Sequence, residues 1–264
     1  MYKLLALDID DTTLCHDGTL SEKNAFAIKE IIKAGGHVVI ITGRSRKAAY
    51  PVWQMIPCDD VCVCFGGAVT CNMKTGKIIS KTEIEPHLLQ DLLQFAHRNG
   101  LVSQIYIDDD VVTEYENPYT SYYTTYLKLN PVYDGELRNK LIHGIPKMIV
   151  YSDPAKTEDT IALFKDRFSD AVEVSASNAT LIEINNPASN KGGGLEMLCD
   201  SFGIDIKDSV AMGDSLLDKS MIEAAGIGVA VENAQEKVKE AADVIAPDCD
   251  SDAVYWVYER YFKA

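Results

Sequence analysis

The sequence predicts an α/β fold, a doubly wound and mostly parallel sheet flanked by helices and interrupted by an inserted α+β domain. Three observations predict it. Strand-like and helix-like segments alternate strictly at both ends of the chain. The run HVVIITGR is too continuously apolar and β-branched to have a wet face, as in a parallel strand covered on both sides. Between about Lys81 and Asn186 the alternation lapses, and strands follow one another directly. The expected division is residues 1–81 and 187–264 for the core and 82–186 for the insertion.

The elements follow in order. Leu4 to Leu7 is an apolar strand that ends in carboxylates. SEKNAFAIKEIIKAGG has apolar residues at helical spacing, with Ser21 to cap it and Gly35-Gly36 to end it. HVVIITGR is a central strand, RSRKAAYPVWQM a helix that Pro51 can kink, and DVCVCFGGAVT a strand and turn. NMKTGKII supplies a hairpin around Thr75-Gly76. In the insertion, PHLLQDLLQFAHRNG is an amphipathic helix, VSQIYIDDDVVTEY gives short alternating strands, and a tyrosine-rich stretch runs from Tyr115 to Tyr133. KMIVYSD, a helix over EDTIALFKDRF, and the pair VEVSAS and TLIEIN complete it. After the polar loop NPASNKGGG come a helix at LEMLCDSFG, the strand DSVAMGD, a helix at KSMIEAAG and the strand GVAV. A helix at AQEKVKEAA, the strand DVIA and a final helix from Asp252 close the chain.

Composition excludes several function classes. The 264 residues are 47% hydrophobic and 25% charged, enough to bury a core and unlike a disordered chain. Forty acidic against 25 basic residues give a net charge of −15, which repels nucleic-acid backbones and anionic lipid surfaces. No apolar run reaches the roughly 18 residues of a membrane span, and MYKLLALDIDD turns acidic where a signal peptide would stay apolar. The seven scattered cysteines do not form a secreted disulfide framework; reduced thiols in the cytoplasm are the expectation. Cys58, Cys62, Cys64 and Cys71 cluster in sequence, but no C-x-x-C pair marks them as a zinc site.

Ligands of open α/β sheets bind beyond the carboxyl ends of the strands, so the polar residues there are the candidates. Asp8 and Asp10 are two apart and on extended chain would project alike. Crowded carboxylates call for a cation between them or a proton on one, pointing to magnesium and an acid/base role, unless DIDD is merely an acidic turn. Thr42 and Gly43 form a small anion cradle or an ordinary turn. Lys191 stands on a Gly-rich loop that opens a helix and can pair with a carboxylate and a phosphoryl oxygen, or be a surface charge. Asp214 ends a strand as a metal ligand or a helix cap, with Asp218 one helical turn further on.

Taken in order, D-x-D-D-T, T-G-R, K-G and G-D-x-x-x-D at successive strand ends resemble the haloacid dehalogenase (HAD) superfamily, and more narrowly its Cof-type phosphatases with a large α+β cap. The closing stretch GVAVENA and ADVIAPDCDSDAV is similar as well. The resemblance implies a magnesium-dependent phosphatase acting through an aspartyl phosphate, with Asp8 as nucleophile and Asp10 as acid and base toward the leaving alcohol and water. It implies magnesium held by Asp8, the Asp10 carbonyl and Asp214. Thr42, the amides of Ile9 and Gly43, and a catalytic Lys191 would bind the phosphoryl oxygens, while Asp218 supports Lys191 or the water around the metal.

Three positions depart from the family pattern. Leu217 stands where an asparagine commonly reaches the phosphate, Gly66 where the family has the asparagine of an N-G-A turn, and Ala253 where glycine is common. One lost donor costs about 3 kcal/mol, or roughly a hundredfold in rate, which Ser215 would offset in part. The departures keep a phosphate-binding pseudoenzyme in play, and a phosphomutase of the same superfamily is a further alternative. A receiver-type phospho-acceptor does not fit, because it needs no inserted domain. The substrate class implied is a small phosphorylated metabolite, sugar phosphates first, then nucleotide, flavin or pyridoxal phosphates. The cap of the family reads the leaving group. Tyr119, Tyr122, Tyr123 and Tyr126 recur at helix-like spacing, as a core-facing stripe or as sugar-stacking rings. Arg44, beside the cradle, either touches substrate or pairs with a carboxylate.

Overall fold

The computed structural model describes residues 2–125, 129–177 and 179–263. In chain order the strands are β1 Leu4–Leu7, β2 His37–Ile41, β3 Val61–Cys64, β4 Val69–Asn72, β5 Ile78–Lys81, β6 Val102–Ile107 and β7 Asp110–Thr113. They continue with β8 Val132–Tyr133, β9 Lys147–Tyr151, β10 Glu173–Ala176, β11 Leu181–Asn185, β12 Ser209–Gly213, β13 Ile227–Val231 and β14 Val244–Ala246. The chain divides into two compact units, Met1–Ser80 with Asn190–Ala264, and Lys81–Ser189.

The first unit is built on an eight-stranded sheet in the order β14-β13-β12-β1-β2-β3-β4-β5. From β14 to β3 every neighbour is parallel, and the β3–β4 pair is antiparallel. Such strands are apolar throughout because both faces are covered: all four residues of β1 and all five of β12 are buried. On one face Leu4, Ala6, Val39, Val63 and Ala211 pack against Leu195 and Leu198 of the helix Lys191–Phe202. Truncating either leucine to alanine would cost roughly 2–5 kcal/mol. The chain winds outward from β1 through β2 and β3 and, after the insertion, resumes on the other side of β1 at β12. The carboxyl ends of β1 and β12 therefore form a topological switch point, where an open sheet leaves a crevice.

Local chemistry sets the boundaries. The Ser21 hydroxyl accepts the Asn24 N–H and starts the helix Glu22–Lys33, and Ser45 does the same for Arg46–Met55 through the Ala48 N–H. The Asn72 side chain accepts the Thr75 N–H, and Gly76 at φ +74° closes the turn into β5. One boundary differs from the sequence expectation. The helix near LEMLCDSFG begins four residues earlier, at Lys191, with Asn190 capping it through the Gly193 N–H. Its glycines are there for packing: a Cβ on Gly194 would lie 2.8 Å from Val63, and one on Gly192 2.6 Å from the Ser220 carbonyl oxygen.

The second unit is an α+β domain whose six-stranded sheet runs β10-β11-β9-β6-β7-β8, antiparallel except at β7–β8. Its apolar face packs Ile105, Met148 and Ile182 against Leu89 and Leu93 of the helix Pro86–Arg98 and Phe164 of Thr157–Phe168. The same unit buries a Lys147–Glu183 ion pair of 2.7 Å, and Tyr151 donates to the Gln104 side chain. Of the tyrosine stripe, Tyr123 is buried and accepts from Tyr151, and Tyr119 stacks on the Tyr151 ring with centroids 4.0 Å apart. Tyr126 lies outside the described residues, as does the side chain of Tyr122. No described helix is long and apolar enough to cross a membrane.

Candidate active site

Asp8 follows β1 directly and is buried. Its N–H donates to the Met212 carbonyl of β12 at 3.1 Å, and its carbonyl accepts the Thr13 hydroxyl at 2.6 Å, so the backbone on both sides is fixed. Lys191, the first residue of its helix, reaches under the sheet edge. Its Nζ donates to Asp8 Oδ1 at 2.5 Å and to Asp218 Oδ1. Asp218 is fully buried, and its other oxygen accepts from the Asp214 N–H at 3.1 Å and from both the N–H and hydroxyl of Ser215 at 2.8 Å. This carboxylate fits so tightly under the turn that a Cβ on Gly213 would fall 2.3 Å from its own Cβ. Asp214 completes the group, with Oδ1 accepting the Thr12 hydroxyl at 3.1 Å. Ligand atoms of Asp8, Asp214 and Asp218 all lie within 4.8 Å of one another.

Three carboxylates face one ammonium, and the protonation equilibria carry that imbalance. Burial, then the Asp218 charge, raises Asp8 well above the ordinary carboxylate value against the opposing pull of Lys191. Asp214 is pushed up to about 7, by burial first and Asp218 second. Burial works against the charge on Lys191, but Asp218 and Asp8 outweigh it and raise its pKa. A cluster that holds this much negative charge in a buried place has room for a cation. Both oxygens of Asp218 are committed to Lys191 and the turn, whereas Oδ2 of Asp8 and of Asp214 has no hydrogen-bond partner among the described residues. An all-oxygen donor set of this kind suits a hard divalent cation.

The other sequence candidates stand at the neighbouring strand ends. Thr42 follows β2, is buried, and accepts the Arg44 N–H at its hydroxyl. Gly43 lies against the G-D-S-L-L-D turn, since a Cβ there would be 3.6 Å from Leu217 Cδ1. The Leu217 side chain thus occupies ground beside the cradle where an asparagine would place an amide. Ile9 is buried at the head of the Ile9–Thr13 turn.

One expectation changes. Asp10 does not project alongside Asp8, because β1 ends at Leu7 and the chain turns at once, Ile9 already having helical backbone angles. The Asp10 carboxylate is exposed instead, and the Arg44 guanidinium forks onto it at 2.9 and 2.5 Å. Of the two readings of Arg44, the structure shows the carboxylate pair. The Ser215 hydroxyl donates to Asp218. Sequence reasoning passed over Thr12 and Thr13, which fix Asp214 and the Asp8 backbone; two hydroxyls directly after an acidic turn were the available signal. It also passed over the contact between the Phe65–Gly67 turn and the loop before Lys191. A Cβ on Gly67 would lie 2.2 Å from the Asn190 carbonyl oxygen, so only glycine lets those two backbones meet.

A carboxylate cluster and a buried lysine at the topological switch point of a parallel sheet mark the candidate active site of an α/β protein. Residues 5–257 match the model of the haloacid dehalogenase-like hydrolases, and the chain belongs to that family, in its Cof-type branch with an inserted cap domain. It is similar to a crystal structure of a haloacid dehalogenase-like hydrolase from Bacteroides thetaiotaomicron, with TM-score 0.88, 25% identity, and coverage of 99% of this chain and 100% of that one. Among curated proteins it is 28% identical over 265 residues to a 5-amino-6-(5-phospho-D-ribitylamino)uracil phosphatase of Bacillus subtilis, covering 97% of this chain and 96% of the relative. It is 23% identical over 267 residues to a pyridoxal phosphate phosphatase of Escherichia coli, covering 96% of each. The chain is therefore an enzyme of a hydrolase family that includes phosphatases.

Proposed function

We propose that this hydrolase is a magnesium-dependent phosphatase of a small phosphorylated metabolite, with Asp8 as its nucleophile. The observation that carries the reading is the buried Asp8 carboxylate, held through one oxygen by Lys191 while the other is free, with Asp214 at hand. Asp8 and Asp214, with the Asp10 carbonyl, would hold the magnesium, which when bound offsets the repulsion between an anionic carboxylate and an anionic ester. In the first half-reaction Asp8 Oδ2 forms a bond to phosphorus as the bond from phosphorus to the ester oxygen breaks, giving an aspartyl phosphate and an alcohol. Asp10 supplies the proton to the departing oxygen, which requires the Arg44 fork to open first. Asp10 then takes a proton from water as that water attacks the acyl phosphate, releasing phosphate and restoring Asp8. Lys191, Thr42 and the amides of Ile9 and Gly43 hold the phosphoryl oxygens, and Asp218 keeps Lys191 and the Asp214–Ser215 turn in position.

The substrate class rests on similarity and charge. The Bacillus subtilis relative acts on a phosphorylated ribityl chain and the Escherichia coli one on pyridoxal phosphate, both small monoesters. A net charge of −15 disfavours polyanionic partners, so a sugar or sugar-alcohol phosphate is the first candidate. The cap domain, residues 82–186 by the sequence division, is the place to seek specificity, because the residues above recognise only the phosphoryl group. Seven free thiols suit a reducing cytoplasm.

The test is phosphate release from p-nitrophenyl phosphate and a panel of metabolite monoesters, with magnesium and with EDTA. Activity that needs magnesium and falls at least about a thousandfold in Asp8→Asn supports the proposal. No release by the wild type with magnesium would make the chain a phosphate-binding protein. Rearranged sugar phosphate in place of free phosphate would make it a mutase.

A further inference from the structure

A second cluster of metal-type donors lies away from Asp8, Lys191 and Asp214, where the chain brings together residues more than two hundred positions apart. His16 sits on the tight turn of residues 15–19, closed by the Cys15 N–H to the Thr19 carbonyl and by the Gly18 N–H to the Cys15 carbonyl. Opposite it is the turn Cys249–Ser251, capped by Asp248. His16 Nδ1 is 3.2 Å from Cys249 Sγ, 3.1 Å from Asp250 Oδ2 and 3.9 Å from Asp248 Oδ1. Ligand atoms of all four residues lie within 4.8 Å of one another, and Cys249 is fully buried.

A histidine Nδ1 carries either one proton or one lone pair, so it can satisfy only one of three polar groups crowded around it. The Cys249 and Asp250 contacts both fall on Nδ1, whereas a thiol-imidazole-carboxylate relay would use the two ring nitrogens separately. A shared metal ion accounts for such convergence. Bonds of 2.0–2.3 Å in a tetrahedral site place neighbouring donors about 3.3–3.8 Å apart. The separations here are 3.1 and 3.2 Å from His16 Nδ1 to Asp250 Oδ2 and Cys249 Sγ, and 3.9 Å from His16 Nδ1 to Asp248 Oδ1. The donors are also held from behind. Asp250 Oδ1 accepts the His16 N–H at 2.9 Å, the Cys249 N–H donates to Asn233 Oδ1 at 3.0 Å, and Asn233 in turn donates to the Asp11 carbonyl at 2.7 Å.

We infer that His16 Nδ1, Cys249 Sγ and Asp250 Oδ2, with Asp248 or water as the fourth ligand, form a site for a zinc-class divalent ion. The mixed nitrogen, sulfur and carboxylate set selects a borderline-soft metal over magnesium. Coordination forms the metal–sulfur bond and sends the Cys249 thiol proton to solvent. The site ties the turn that continues from the Asp8 loop to the C-terminal segment, and so stabilises the folded chain by mass action whenever the ion is present.

The experiment is titration of the full-length protein with Co2+ in excess magnesium, read by the thiolate-to-cobalt absorption band, and with Zn2+, read by Tm. The expected result is a band saturating at one equivalent and a higher Tm with zinc. Both should persist in Asp8→Asn; the thiolate band should be lost in Cys249→Ser, and both midpoints should rise at least about tenfold in His16→Ala. The inference fails if the wild type shows no band, or if the band survives undiminished in these two variants. Should Cys249→Ser not fold, His16→Ala decides the matter, because that side chain is 51% exposed.

Discussion

Replacing Asp214 with asparagine should stabilise the metal-free protein at neutral pH while depriving it of its response to magnesium. The substitution removes one negative charge from a cluster of three carboxylates and one ammonium, and the asparagine oxygen can still accept the Thr12 hydroxyl. The folded state raises Asp214 from the ordinary 3.8 to about 7, so the folded chain holds this proton more tightly than the unfolded one. In wild type this group therefore favours folding below about pH 4 and loses that advantage as pH rises toward about 7, leaving a constant cost above. At roughly 1.4 kcal/mol per pH unit, the interval of about three corresponds to at most about 4 kcal/mol, and solvent screening reduces this to about 1–2 kcal/mol. The assay is urea unfolding in EDTA near pH 5 and near pH 8, repeated with magnesium. The variant should be more stable than wild type near pH 8, the gap should shrink near pH 5, and magnesium should stabilise only the wild type. A variant that is less stable than wild type near pH 8 in EDTA would refute the charge argument.

Lys191→Met should act in the opposite direction, costing about 3–5 kcal/mol in urea unfolding, because Asp8 and Asp218 lose the cation between them. Gly67→Ala should destabilise by at least about 2 kcal/mol and lower phosphatase activity, since a Cβ 2.2 Å from the Asn190 carbonyl must push away the loop that carries Lys191. Unchanged stability and activity there would dissociate this contact from the site. Leu217→Asn should raise kcat/KM toward p-nitrophenyl phosphate, by up to roughly a hundredfold if the new amide reaches the phosphoryl group; an unchanged value would mean the donor is not missed.

Much of the molecule was legible in the chain itself, and what was not has a common cause. The parallel core could be read from HVVIITGR and DSVAMGD, because burial on both faces forces an uninterrupted apolar run. The strand-end position of Asp8 and Asp214 followed from where those runs stop. The start of the helix at Lys191 was misplaced, since KGGG has poor helix propensity and becomes helical only where Val63 and Ser220 press against its glycines. Asp10 was misoriented because the turn that opens at Ile9 carries no pattern in DIDD.

The sequence by itself determined the alternation of strands and helices, the acidic strand ends and the lysine that answers them, because hydrophobic periodicity and residue type are local properties. Tertiary structure alone decided the partners. It gave Arg44 to Asp10 and His16 to Cys249, since each bond joins segments whose approach depends on the folded backbone and leaves no periodic trace along the chain.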